Sequence, residues 1–213
     1  MRNPVMKIIH SIGLLVLFLL GCSSPGINKI NFANDYTPAK VNRVAILNFN
    51  KGNDVSIKPE IVVDKFTSAL VGSRFKIVDM ADIKKIFEEA RFQQTASDII
   101  DGDTIQRLKQ LGADTLLTGT LHTYKEEKKN NFVLFAEVYL TAKLLKVETG
   151  EILWSAEILK NGKAKNVGEK KLLSVIDRES EADSASKLLD VIVTEMTDSF
   201  KEKKSVMEKI KVW

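Results

Sequence analysis

The chain has 213 residues, 44% of them hydrophobic, with 32 Lys and Arg against 28 Asp and Glu and a single cysteine. That length fits one domain with a tether or tail, and the lone cysteine excludes an internal disulfide, so an apolar core must hold the fold. The net charge of +4 falls to +2 once Arg2 and Lys7 of the first 21 residues are set aside, which leaves nucleic-acid binding with little support.

Arg2 and Lys7 precede an apolar run, Ile12 to Leu20, that is broken only by Gly13 and leads into Leu19-Leu20-Gly21-Cys22. The run is shorter than the about 20 residues a membrane-spanning helix needs. It reads as a removable lipoprotein signal over residues 1–21, cleaved after Gly21, with Cys22 the site of lipid attachment. The competing readings are a true membrane anchor and an ordinary secretory signal. Cleavage leaves 192 residues (213 minus 21). Ser23, where an aspartate would favour retention in the inner membrane, points to the outer membrane, with the domain facing the periplasm. Residues 22–40 are rich in turn formers and carry no helix or strand periodicity, so they read as a lipidated N-terminus and flexible tether reaching at most about 60 Å.

The domain is expected over residues 41–202. Val44-Ala45-Ile46-Leu47, within Asn42 to Phe49, suits a buried strand, followed by a loop from Asn50 to Val55. Pro59 opens a helix with Val62, Phe66, Ala69 and Leu70 on one face, and Gly72 ends it. Arg74 to Val78 reads as a second strand. Asp79 then caps a helix whose apolar face is Ile83, Ile86, Phe87 and Ala90. After a polar stretch, Gln93 to Gly102, Asp103 and Gln106 sit at capping-box spacing and open a helix with Ile105, Leu108 and Leu111 buried.

Gly112 closes that helix, Thr115 to Tyr124 reads as a strand, and Lys125 to Asn130 as a charged turn. Every even position from Phe132 to Leu144 is apolar, which predicts a long strand with one buried face. Glu148-Thr149-Gly150-Glu151 turns the chain, and Ile152, Trp154, Ala156 and Ile158 repeat the pattern as the second arm of a meander. The closing helix carries Ala185, Leu188, Leu189, Ile192, Met196 and Phe200 on one face, ahead of a basic tail over residues 203–213. The sum is an α/β fold, a single domain with a mixed sheet of about five strands covered by helices.

Four segments carry a resemblance: Val44-Ala45-Ile46-Leu47-Asn48-Phe49, Arg74-Phe75-Lys76-Ile77-Val78-Asp79, Leu111-Gly112-Ala113-Asp114-Thr115-Leu116-Leu117-Thr118-Gly119-Thr120 and Glu148-Thr149-Gly150-Glu151-Ile152-Leu153-Trp154-Ser155. They resemble the curli production assembly/transport component (CsgG) family of lipoproteins, over roughly Val41 to Phe200. That resemblance implies a subunit of an outer-membrane secretion pore. The pore-forming members carry extra amphipathic hairpins, whereas here the odd face of the Phe132 strand bears Glu137, Lys143 and Lys146 and suits a soluble sheet. The chain is similar in class to the penicillin-binding-protein activator (LpoB) family, which implies stimulation of a peptidoglycan synthase.

Catalytic chemistry finds little material. His122 is the one histidine after the signal, lies mid-strand and has no pairing motif around it, so it reads as a partly satisfied structural residue. Asp98, Asp101 and Asp103 lack the later glutamate of a calcium hand, and Asp103 reads as a cap. No metal, cofactor, small-molecule substrate or nucleic acid is expected. Two features suit binding: the lysines 160, 163, 165, 170 and 171, and the tail with Val206, Ile210 and Trp213. The preferred reading is a non-enzymatic, lipid-anchored outer-membrane lipoprotein that binds envelope proteins or copies of itself, through exposed edge strands or the loops at Gln93 to Gly102 and Asn161 to Ser180. The pore subunit and the synthase activator are the alternatives.

Overall fold

A computed structural model describes residues 26–79, 81–83, 85, 102–129, 132–163 and 183–201. Seven strands form one sheet: β1 (Asn28–Phe32), β2 (Arg43–Ile46), β3 (Asn50–Val55), β4 (Lys76–Ile77), β5 (Thr115–Lys129), β6 (Phe132–Lys146) and β7 (Ile152–Lys163). The order is β1-β7-β6-β5-β2-β4, with β3 paired to β5 beyond the end of β2. β2, β3 and β4 pair in parallel, and β1, β5, β6 and β7 join antiparallel, so the sheet is mixed. Three helices are described, α1 (Glu60–Leu70), α2 (Gly102–Gln110) and α3 (Ala185–Lys201), besides a 3-10 turn at Pro38–Lys40. None of the described helices is long and apolar enough to cross a membrane.

The apolar runs follow from two cores on opposite faces. Val44 and Ile46 enter the larger core, with α1 and α3, while Ala45 between them enters the smaller one, with Leu108, Leu116 and Val147. A parallel strand buried on both sides needs apolar residues at consecutive positions, which is why β2 does not alternate. Between residues 136 and 144 helices cover one face of β6, so Ala136, Val138, Leu140, Ala142 and Leu144 are buried and the odd positions between them are not. α1 buries Val62, Val63, Phe66 and Leu70, and Gly72 follows it at φ 80°, the left-handed conformation that a glycine adopts without strain. α3 buries all six residues of its expected stripe.

The specific motifs do structural work. The carboxylate of Asp114 accepts the backbone N–H groups of Asn42 (2.9 Å) and Arg43 (3.1 Å), which aligns the start of β2 on β5. In the β6–β7 turn the Thr149 hydroxyl donates to Glu151 (2.8 Å), and Gly150 stands at φ 73°. Asp79 accepts the Ala81 N–H at 2.7 Å and so caps the turn that carries buried Ile83.

The mixed sheet with helical cover is as expected, and its strands number seven. Several local expectations are corrected. Residues 28–40 are no tether: β1 pairs with β7 from Asn28 opposite Ile158 to Phe32 opposite Trp154, and Ile30 and Phe32 pack on the larger core. The expected loop Asn50 to Val55 is β3, drawn into the sheet because β5 extends past the end of β2 and offers an unfilled edge. The expected turn at Lys125 is strand through Lys129, and Asn161 to Lys163 continue β7. In each case partner strands supply the backbone hydrogen bonds that these polar residues do not advertise.

Tyr36 seals the chain between β1 and β2. It is 2% exposed, stacks on Phe32 with centroids 5.5 Å apart and donates to the Phe200 carbonyl at 2.6 Å. Burial pushes its hydroxyl up from 10.0 to about 12, against the opposing pull of Arg74. The folded state therefore keeps a proton that the unfolded chain loses above pH 10. That contribution is whole below pH 10 and lost as pH rises through 12. Alkaline denaturation of the Tyr36→Phe variant, followed by urea midpoints between pH 9 and 12, should show a shallower fall than the parent. The difference should approach about 2 kcal/mol.

Candidate interaction surface

The sheet is covered unequally. α1 and α3 close one face along its length, while the smaller core reaches only the end of the other face around Leu116, Leu145 and Val147. Beyond it, among the described residues, β1, β5, β6 and β7 present Lys29, His122, Tyr139, Thr141 and Glu157, and no described helix lies across them.

These side chains form one connected set. The pairing of β5 with β6 slips between Leu121 and Thr123. This bulge keeps Leu121 in the larger core and sets the His122 ring on the opposite face, stacked on Tyr139 with centroids 4.5 Å apart. β3 lies close behind, since a Cβ on Gly52 would stand 2.5 Å from the His122 carbonyl. His122 Nε2 is 3.0 Å from Thr141 Oγ1, and that hydroxyl donates to the Thr120 carbonyl at 3.4 Å. The Tyr139 hydroxyl donates to Glu157 at 2.6 Å, and Lys29 lies 3.6 Å from the same carboxylate. This bond, with Lys29 and His122 nearby, holds the Glu157 carboxyl below its ordinary range, and the same bond raises Tyr139.

The arrangement does not assemble a nucleophile. The Thr141 hydroxyl at the imidazole also donates to a backbone carbonyl, and the Glu157 carboxylate is engaged by tyrosine instead of orienting the ring. The set offers hydrogen-bonding and aromatic groups on a half-buried face of the sheet. Among the described residues, no group of three His, Cys, Asp or Glu could hold a metal ion.

A shallow groove of about 460 Å³ opens where β3 ends beside β5, lined by residues 53–56 and 124–127. Its Glu126 accepts the Ala185 N–H at 2.7 Å and so fixes the start of α3; Lys128 and this N–H lower its carboxyl.

Of the expected binding residues, Lys160 lies in β7, ion-paired to Glu195 at 2.7 Å, and Lys163 stands over the Phe135 ring. Gly21, Cys22, Asp98, Asp101, Lys165, Lys170, Lys171, Val206, Ile210 and Trp213 lie outside the described residues, as do the loops from 93 to 101 and 164 to 180 and the side chain of Asp103. Sequence reasoning missed Tyr139, Thr141, Glu157 and Lys29. Tyr139, Thr141 and Glu157 are the polar odd positions of β6 and β7, a signal present in the alternation but overshadowed by the apolar even set.

Comparison with known proteins decides the family. The family model described as peptidoglycan-synthase activator LpoB matches residues 39–158, more than half of the 213. The chain belongs to the LpoB family. The match begins in the 3-10 turn and ends in β7, so it takes in β2 to β6 and most of the open face. No curated protein matches. Among solved structures, the PelC dodecamer from Paraburkholderia phytofirmans is 11% identical with a TM-score of 0.54, covering 83% of this chain and 98% of its own. Lipoprotein GNA1162 from Neisseria meningitidis is 15% identical (TM-score 0.49; 74% of this chain, 96% of that one). The LpoB C-terminal domain from Escherichia coli is 15% identical (TM-score 0.42; 70% and 93%). The PelC likeness shows a shared fold. Of the two families the sequence resembles, LpoB is supported and the curli component is not, which corrects that expectation.

Proposed function

We propose that this chain is a non-enzymatic activator of a peptidoglycan synthase, held by lipid on Cys22 to the periplasmic face of the outer membrane. The match to the activator family over residues 39–158 carries the reading. Nothing in the His122, Tyr139, Thr141 and Glu157 geometry asks for catalysis, and its polar and aromatic face suits a protein partner. This narrows the broader expectation of a non-enzymatic protein-interaction component of the envelope.

Placement is the mechanism. A lipid tie confines the domain to one surface and raises its effective concentration there, so modest contacts suffice to bias a partner toward its active conformation. The synthase is expected to meet the open face of β5, β6 and β7. The test is glycan-chain polymerisation by a purified peptidoglycan synthase with the mature protein added. A rate rise of at least about twofold is expected, and an unchanged rate at saturating protein overturns the reading. In Glu157→Gln the stimulation should fall while the urea midpoint stays close to the parent's, because the amide oxygen still accepts the Tyr139 hydroxyl and no like charge is set beside Lys29. Retained stimulation removes the open face as the contact.

A further inference from the structure

Resting on the lipid anchor just proposed, we infer a second membrane contact: the far end of the β5–β6 hairpin lies on the lipid surface to which Cys22 is tied. The first ground is reach. Ile27 is already held on β7, its carbonyl accepting the Leu159 N–H at 2.8 Å, and Gly26 packs so closely that a Cβ would stand 2.9 Å from the Leu159 carbonyl. Only four residue steps (26 minus 22) remain to Cys22, at most about 14 Å of chain.

The register carries the hairpin just as far. From Leu159, β7 runs four further residues in the direction in which the N-terminus leaves the sheet, and Lys163 there pairs with Phe135. β6 begins three residues beyond, at Phe132. With the strands directed at the bilayer, the hairpin end meets the surface before the tether is taut.

Its chemistry suits that surface. Phe132 is 50% and Leu134 43% exposed, and the pairing slip between Glu127 and Lys128 is what leaves Leu134 turned out of the core beside buried Val133. Lys163 lies over the Phe135 ring at 5.8 Å, and Lys128 and Lys129 flank the same end. Aromatic and aliphatic side chains rimmed by lysines match the boundary between acyl chains and anionic headgroups, and they would be a liability in open water.

The experiment uses the mature protein purified from membranes and reconstituted in vesicles of phosphatidylethanolamine and phosphatidylglycerol. An environment-sensitive fluorophore is placed at Phe132→Cys or, as control, at Ile152→Cys. Ile152 is equally exposed (48%) but begins β7, eleven residues from Lys163 and so about 36 Å along the strand. Brominated acyl chains should quench about half of the emission at position 132 and leave position 152 unchanged. Adding Leu134→Asp should reduce the quenching at 132. Acylated protein with no quenching at 132 overturns the hairpin contact and leaves the anchor intact, as does protection at 132 that appears without lipid and scales with protein concentration, the sign of a second copy. A mass showing no acyl chains on Cys22 overturns the anchor and, with it, this contact.

Discussion

Trp154→Ala should lose about 3–5 kcal/mol of folding stability, the range for deleting a fully buried large aromatic. Trp154 is wholly buried and joins four elements. On β7 it pairs with Phe32 of β1 and Leu144 of β6, its ring meets Phe200 of α3 edge-on at 5.1 Å, and Nε1 donates to Ser199 Oγ at 2.9 Å. Phe200 in turn packs against Phe75, and its carbonyl receives the Tyr36 hydroxyl. Truncation opens a cavity where β1, the sheet and the end of α3 meet. Trp154→Phe keeps a ring in the site but leaves a smaller cavity and loses one hydrogen bond, and Ser199 still donates to the Met196 carbonyl, so a smaller loss of about 1–2 kcal/mol is expected. Urea unfolding at constant slope measures both. Equal losses would mean that the hydrogen bond, and not the packing, holds the site.

Gly119→Ala should also be damaging, for the opposite reason. A Cβ there would stand 2.0 Å from the Thr141 carbonyl oxygen, 2.6 Å from Phe49 Cε1 and 2.9 Å from Ala142 Cα. Two of these are backbone atoms of β6, and the third belongs to a ring stacked on Phe66 of α1 at 5.2 Å, so relief requires moving a strand or a helix. Overpacking of this kind costs about 1–3 kcal/mol. Gly150→Ala is the comparison: no atom lies within 4 Å of its Cβ, but φ is +73°, so only backbone strain of about 1 kcal/mol is added. Thermal unfolding should place Gly119→Ala clearly below Gly150→Ala. The reverse order would show that β5 and β6 can part at this point without cost.

The two glycines also mark what can be read from a sequence. Gly150, between Thr149 and Glu151, announces a turn because the reason for it is local. Gly119 sits among Leu116, Leu117, Thr118 and Thr120 with nothing nearby to explain it, since its reason is Thr141 and Phe49, far off in the chain. The same division runs through the polar face: His122 was visible as a lone histidine, but Tyr139, Thr141 and Glu157 become its neighbours only through the pairing of β5, β6 and β7.

From the amino-acid order alone came α1, α3, β2, β6, β7 and the caps at Asp79 and Gly112, together with the α/β class and the expectation of a signal ending at Gly21. Each of those rests on periodicity or a capping residue within a few positions, and burial of an apolar stripe then stabilises what local preference already favours. Only the tertiary structure decided that Asn28–Phe32 and Asn50–Val55 are strands and that β5 bulges at His122. Those segments carry few apolar residues and take their hydrogen bonds from edges of β7 and β5 that exist only once the sheet has formed.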